Sequence, residues 1–445
     1  MIQNLTAGKP SKLILLFCLP LLIGNLFQQL YNITDTLIVG RLLGVNALAA
    51  VGATAPIFFV FLLIAFGFAG GLTVITAQRF GAGDIKGVRS SVTHAIRACA
   101  VLCFLMTFIL IFCLKPILRL MNVPLEIEKD AYTFMSILSF SLVVIVFYNL
   151  LFGVVRALGD SKTPLYFLIF STLLNIAFNF VLIYFFKFGV AGSALGTFLA
   201  ISIAFILCGA YVYCKYPVLH LQKSDWRFDP HMLKSQLNVA LPMSVQFSVL
   251  SVSMMVIQGA CNSFGPDVIA AFTAALRIEQ LATQPLLALG MAMATYSAQN
   301  WGAGKISRIR QGVRLTALWS LILSILMSLA VRYIGRDMIS VFLPEENNFI
   351  IETGKTYLSI STLFYFFLGL IFIFRNTLQG MGKAIIPLVA SLTELFVRSV
   401  AAVYFAKLMG YKGIFYASPI AWIGATLVVT VGYILTIKNL RKTIK

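Results

Sequence analysis

Long apolar runs separated by short polar interruptions dominate this chain. A membrane-crossing helix needs about 20 mostly apolar residues. The interruptions leave room for twelve such runs: residues 13–39, 48–77, 93–114, 131–155, 164–186 and 191–214, then 233–262, 268–298, 312–334, 354–377, 385–408 and 414–438. A closed β-barrel, the other structure that can span a bilayer, shows short alternating segments. Unbroken runs such as 109–114 and 363–374 exclude it and predict helices. The first run follows Lys9 and Lys12 but is too long for a signal peptide and carries Pro20 and Asp35, so it counts as a span.

Composition agrees with a polytopic membrane protein: 60% of the 445 residues are hydrophobic and 11% charged, against about 25% charged in soluble domains. Mean hydropathy is +0.94. The net charge of +19 is spread over short loops rather than gathered on one domain. It therefore reads as the positive-inside bias, with both termini cytoplasmic, and not as a nucleic-acid surface. The seven cysteines lie in or at the ends of apolar runs and imply neither a disulfide framework nor a metal cage. His94, His220 and His231 form no cluster and read as solvated or interfacial.

The chain is also an internal duplication. QRFGAGDIKGVR at 78–89 is matched by QNWGAGKISRIR at 299–310, and Leu19-Pro20 by Leu241-Pro242. LGVNALAA at 43–50 aligns with FGPDVIAA at 264–271, and Gly159 and Pro164 with Gly382 and Pro387. An even number of spans per repeat makes both repeats run in the same sense, related by an axis along the membrane normal. The expected organisation is an N-lobe at 1–214, a cytoplasmic linker at 215–232 and a C-lobe with a short basic tail at 233–445. Gly81, Gly83, Gly302 and Gly304 are expected to take positive φ beside helix ends. Neither glycine turn has the spacing of a phosphate-binding loop, so an ion gradient rather than ATP is the expected energy source.

Five charges are singled out inside apolar spans, Asp35, Arg277, Glu279, Glu394 and Arg398, with Arg277 and Arg398 read as the only intramembrane cations. An Asp at a helix centre costs about 2.5–3.5 kcal/mol, so such groups face partners or cavities. Gln28, Asn32 and Asp35 fall on one helical face, with Tyr31 adjoining. Asp35 is there a carboxylate able to exchange a proton or hold Na+. Asn175 and Asn179, one turn apart, and Thr197 offer neutral oxygens of the kind hard cations take, and they serve equally as interhelical hydrogen bonds. Glu394 and Arg398 are spaced for mutual neutralisation. Arg277 and Glu279 cannot share a face, which leaves Glu279 and Glu394 as candidates for a second acidic site for a proton or a cationic substrate. Span seven has no acid but carries Ser244, Ser248 and Ser251, then Met254, Met255 and Gln258. Methionines repack around varied ligands, and Phe27, Tyr31, Phe147, Tyr148 and Phe152 could offer π faces to organic cations.

The Leu-Pro pairs, YNITDTLIVGRLLG around Asp35, QRFGAGD, QNWGAGK, RALGDSKTP, LNIAFN, GVAGSALGT and RNTLQGMGKAIIP together resemble the multidrug and toxic compound extrusion (MATE) family over essentially the whole chain. The resemblance implies an all-α membrane protein of twelve helices in two six-helix bundles with a V-shaped central cavity. It also implies export of cationic or amphipathic compounds against inward Na+ or H+, and a cation site in the N-lobe. In that site Asp35 matches the first-helix Asp, Asn175 and Asn179 match a fifth-helix Asn-x-x-x-Asp pattern, and Thr197 matches a sixth-helix Thr. Asn179 departs from the pattern, leaving Asp35 as the proton acceptor and the coupling ion open. The acids that some relatives carry on the seventh and tenth helices are missing, and Glu279 in AALRIEQLATQP resembles a branch with an acidic eighth helix.

The expected function is a secondary active multidrug antiporter of the bacterial cytoplasmic membrane, without a cofactor, its partners being small molecules and the bilayer, and with one chain sufficient. The rival within the superfamily is a lipid-linked oligosaccharide flippase, which would need a cationic cavity for phosphate. An intramembrane enzyme would need a catalytic constellation, and no His-Glu-x-x-His or Gly-x-Ser-x-Gly motif is present.

Overall fold

A computed structural model describes residues 3–121, 123–341 and 347–443, apart from the side chains of residues 32, 33, 35, 36, 45, 46 and 440–443. The first repeat forms α1 (Pro10–Leu43), α2 (Val45–Gly81), α3 (Ile85–Leu120), α4 (Leu125–Ala157), α5 (Lys162–Phe180), a π turn (Val181–Phe185) and α6 (Gly189–Lys215). The second forms α7 (Pro230–Asn262), α8 (Pro266–Ala282), α9 (Gln284–Gly302), α10 (Ile306–Ser340), α11 (Asn348–Thr362), α12 (Tyr365–Gly380), α13 (Ile385–Met409), α14 (Tyr411–Ile414) and α15 (Ala417–Thr443). The helices overrun the apolar runs because polar ends continue the same hydrogen-bond ladder. α3, for example, starts at Ile85, where Asp84 Oδ1 accepts the Gly87 N–H at 2.8 Å.

Two expected spans are broken. Residues 268–298 divide into α8 and α9 at Thr283, because Pro285 in the first turn of α9 has no N–H to donate. The Thr283 hydroxyl and N–H both turn back to the Glu279 carbonyl, at 2.8 and 2.9 Å. Residues 354–377 divide into α11 and α12, bent by 51°. Ten helical stretches among the described residues are long and apolar enough to cross a membrane, and the bent pair makes eleven. α8 and α9, in the register of α2, complete the twelve.

Contacts divide the chain into two compact units that exchange helix halves. Ile23–Ser244, with Gln3 and Asn4, belongs to the first, and Leu5–Leu22 with the described residues from Val245 onward to the second. Both crossovers lie inside helices, in α1 after Leu22 and in α7 after Ser244, just beyond Pro20 and Pro242. Each proline removes one i→i−4 hydrogen bond, so the duplicated Leu-Pro pair loosens the helix where it changes unit. In the first unit the start of α7 packs on α2: a Cβ on Gly71 would lie 2.4 Å from Ala240 Cα. The buried Gln236 there donates to Ser91 O at 2.7 Å. In the second unit Leu5, Ile14, Phe17 and Leu21 join a core with Leu289, Met293, Tyr296 and Val429. Gln299 Oε1 accepts the Leu5 N–H at 2.8 Å and Lys305 Nζ donates to Thr6 O at 3.0 Å.

Four helices end in the same way, on a left-handed glycine: Gly83, Gly159, Gly304 and Gly382, with φ of 76°, 85°, 69° and 77°. In each the glycine N–H and the next N–H bond back into the last turn, as Gly382 N to Gln379 O and Lys383 N to Leu378 O, both at 2.8 Å. Gly81 and Gly302, expected to share this role, are instead the last helical residues, since one left-handed residue completes the motif. The linker is also more ordered by contact than its sequence suggests. His94 is buried, not solvated: the Asp229 N–H donates to its Nε2 at 2.8 Å, so Nδ1 carries the proton it shares with Ser90 O at 2.7 Å. Thr93 Oγ1 donates to Asp225 O at 2.7 Å and the Arg97 guanidinium lies 5.5 Å from the Trp226 ring, so the linker is laid along α3.

Asp160 ties this end of the first unit together. Its Oδ1 accepts from Lys162 N at 2.8 Å and Thr163 N at 3.1 Å, and its Oδ2 from Thr163 Oγ1 at 3.0 Å and Tyr216 OH at 2.6 Å. Burial pushes the carboxyl up, but the hydrogen bonds, those from Tyr216 and Thr163 among them, outweigh it and hold the group below its ordinary value. A depressed carboxyl stabilises fully above the ordinary carboxylate range and loses that contribution as pH falls through its folded value. Since a hydrogen bond to a charged group is worth about 1.5–3 kcal/mol, Asp160→Asn should lower the melting temperature in detergent by several degrees at pH 7. The gap to wild type should shrink on acidification below about pH 4, and a gap independent of pH would refute this role.

Candidate functional site

The polar residues of the first unit converge on α5 and α6. Asn175 and Asn179 are both buried. Asn175 Nδ2 donates to Thr197 Oγ1 at 3.0 Å, and Asn179 Nδ2 to Asn175 Oδ1 at 3.1 Å. Glycines on α6 make room for this chain: a Cβ on Gly196 would lie 2.1 Å from Asn179 Oδ1, and one on Gly192 3.2 Å from the Leu182 carbonyl carbon. Small residues four apart let two membrane helices approach at backbone distance. Just beyond Asn179 the helix widens into the π turn Val181–Phe185, a local departure that recurs at functional sites.

Three of the four residues read as a cation or proton site, Asn175, Asn179 and Thr197, are thus joined by hydrogen bonds. Asn32 and Asp35 belong to α1, and their side chains lie outside the described residues. Gln28 on the same helix is exposed and Tyr31 half-buried. Tyr148 and Phe152 are not free π faces: both are buried, their rings 4.1 Å apart, and Tyr148 OH donates to Phe167 O at 2.9 Å. They sit in the core because the α4 face that carries them is covered by α6 and the neighbouring rings.

The second unit holds a different cluster. Glu279, buried on α8, accepts from Tyr357 OH of α11 at 2.8 Å and lies within electrostatic reach of Arg398. Glu394 and Arg398 form a buried ion pair on α13 at 2.6 Å, and Arg398 Nη1 also donates to Ser253 Oγ of α7 at 2.6 Å. Arg277 is exposed. Arg375 on α12 is a further buried cation, 5.1 Å from the Phe372 ring and within electrostatic reach of Glu394, so Arg277 and Arg398 are not the only intramembrane cations. It already lies within the expected span 354–377, just past the apolar run 363–374, and only its burial in the packed helices sets it apart from the other basic residues near span ends. Tyr357 and Ser253 were equally illegible, because only cross-helix packing makes them partners. Tyr365 OH and Arg398 Nε, both buried, have no hydrogen-bond partner among the described residues. Met255 is exposed and Gln258 bonds Asn262 Oδ1 at 3.0 Å, so neither joins this cluster.

The arrangement separates two kinds of chemistry. Asn175, Asn179 and Thr197 present hard, neutral oxygens suited to a small cation. The two acids of the second unit differ in their partners: Glu394 is neutralised by a guanidinium, whereas Glu279 is held by a neutral phenol. Among the described residues no group of three or more His, Cys, Asp or Glu side chains could hold a metal ion.

Comparison with known proteins places this geometry in a family. A family model described as MatE matches residues 20–181 and 242–404, one match in each repeat. The chain is 29% identical over 415 residues to "Probable multidrug resistance protein YpnP" of Bacillus subtilis (strain 168), covering 92% of each. It is 23% identical over 436 residues to a "FAD transporter" of Shewanella oneidensis (strain ATCC 700550 / JCM 31522 / CIP 106686 / LMG 19005 / NCIMB 14063 / MR-1), covering 94% of this chain and 93% of the relative. A solved structure, "Outward-facing conformation of a multidrug resistance MATE family transporter of the MOP superfamily", shares the fold with a TM-score of 0.91 at 23% identity, over 98% of each chain. Matched in both repeats and along its full helical framework, the chain belongs to the MatE family of multidrug and toxic compound extrusion transporters.

Proposed function

We propose that the protein is a secondary active exporter that moves organic cations or amphipathic compounds outward in exchange for inward Na+ or H+, by alternating access. The observation that carries this reading is the buried Asn175–Asn179–Thr197 chain, in the unit to which the α1 segment bearing Asp35 also belongs. Neutral oxygens can coordinate a cation but cannot balance its charge, so Asp35 supplies the carboxylate that takes the coupling ion. The "multidrug resistance" name of the Bacillus relative supports the substrate class. The chain sits in the bacterial cytoplasmic membrane with both termini inside, and acts as a monomer.

In the second unit the Glu394–Arg398 pair is structural, because each charge cancels the other. Glu279, hydrogen-bonded to the Tyr357 phenol and in no ion pair among the described residues, is the acid available as a second proton or cation-substrate site. The flippase reading gains one observation, the buried Arg375, but that guanidinium lies within electrostatic reach of the Glu394 carboxylate. Transport of a lipid-linked phosphate therefore stays second.

Ethidium transport by purified protein in proteoliposomes, under a Na+ gradient or a pH gradient applied separately, tests the reading. One gradient should drive export by wild type, and Asp35→Asn should abolish it at an unchanged melting temperature. Unchanged efflux by the variant removes Asp35 from the mechanism, and failure of both gradients with wild type favours the flippase. Breaking a buried ion pair costs about 3–5 kcal/mol. Arg398→Met alone should therefore destabilise strongly, whereas Glu394→Gln combined with Arg398→Met should melt much closer to wild type and retain transport. A stable double variant without transport would assign the pair to the mechanism instead.

A further inference from the structure

The second unit carries a groove of about 820 Å3 between α13 and α15. Its floor includes the contact of the Ile386 side chain with Gly432: a Cβ on Gly432 would lie 2.4 Å from Ile386 Cγ2, so the absence of a side chain there lets α13 and α15 meet. Val389, Leu427, Val431 and Leu435 form its walls and are 47–62% exposed. One end is polar, with Lys383 and Trp301 in the lining. That end coincides with the glycine turns that close α9 and α12, so it lies where the membrane helices reach the interface.

Lys383 is the unusual element. It follows Gly382, and the equivalent residues after the other three glycine turns all have side-chain partners. Asp84 pairs with Arg79 at 3.1 Å, Asp160 accepts from Tyr216 OH at 2.6 Å, and Lys305 donates to Thr6 O at 3.0 Å. The exposed Lys383 has neither a hydrogen bond nor an ion pair from its ammonium among the described residues, although the turn fixes its backbone through the 2.8 Å bond to Leu378 O. An uncompensated cation at the mouth of an apolar trough is complementary to an amphiphile with a negative head and a long hydrocarbon chain. An amphipathic cation would meet like charge at the same point.

We propose that this groove is a binding site for an anionic glycerophospholipid, its phosphate against Lys383, its acyl chain along Val389, Leu427, Val431 and Leu435, and Trp301 at the level of the headgroup. The site depends on the membrane embedding of the second unit and not on any transported compound, so it stands or falls separately from the exporter reading.

Trp301 is a built-in reporter. With Trp226, Trp319 and Trp422 replaced by Phe, the protein is reconstituted in phosphatidylcholine vesicles doped with either brominated phosphatidylglycerol or brominated phosphatidylcholine, and quenching of Trp301 fluorescence is read. One lysine at an anionic surface corresponds to about a fivefold preference, so phosphatidylglycerol should reach half-maximal quenching at about one fifth the mole fraction. Lys383→Gln should remove the preference, and Val431→Phe, which fills the trough, should weaken quenching by both lipids. Equal quenching by the two lipids in the Lys383 protein overturns the proposal, as does a preference that survives Lys383→Gln. If the triple Trp variant does not fold, native mass spectrometry of the wild-type chain and Lys383→Gln from mixed micelles gives the same decision. Retention of phosphatidylglycerol by wild type alone supports the site, and equal retention overturns it.

Discussion

Every backbone polar group within the hydrocarbon must find its partner inside the protein, and the rest of this structure follows from how that demand is met. Unbroken helices meet it over most of the chain. Pro56 and Pro116 are carried inside α2 and α3, whereas at Pro20, Pro242 and Pro285 the freed groups fall near a crossover between units or at the α8–α9 break. The break is stitched by Thr283 bonding the Glu279 carbonyl at 2.8 Å, which places an acid on the last turn of an interrupted helix. Irregular backbone and ionisable side chain thus occur together, because each is tolerated only where protein rather than lipid surrounds it.

Lipid gives helices no hydrophobic reason to associate, so close packing relies on small residues. Gly71 against Ala240 seats the first half of α7 in the first unit. Gly196 against Asn179 brings α6 near enough for Thr197 to meet Asn175, and Gly432 against Ile386 shapes the groove on the second unit. The same device therefore builds the chain exchange, the polar site and the lipid-facing trough.

Duplication preserved the frame and let the chemistry diverge. The four left-handed glycines keep one geometry, yet the residue after each is Asp in the first repeat, at 84 and 160, and Lys in the second, at 305 and 383. The aspartates cap the following helices, whereas α10 begins without a side-chain cap and Lys305 reaches for the N-terminal segment. The buried polar groups diverged likewise, into neutral amides in one unit and paired charges in the other.

The sequence by itself determined the membrane class, the helical spans, the duplication and the family, because hydropathy, repeat register and motif spacing are local properties of the chain. It also singled out Asn175, Asn179, Thr197, Glu279, Glu394 and Arg398, since polar groups stand out against an apolar background. Partners across helices were not legible: Tyr357 for Glu279, Ser253 for Arg398 and the burial of Arg375 depend on which faces meet and on the α11–α12 break, whose cause is not a proline. His94 reads as an interfacial residue until the linker folds back onto α3 and supplies the Asp229 N–H. Only the tertiary structure decided that α1 and α7 each serve both units, because residues just before and just after a proline in one helix carry no local mark of the core they will enter.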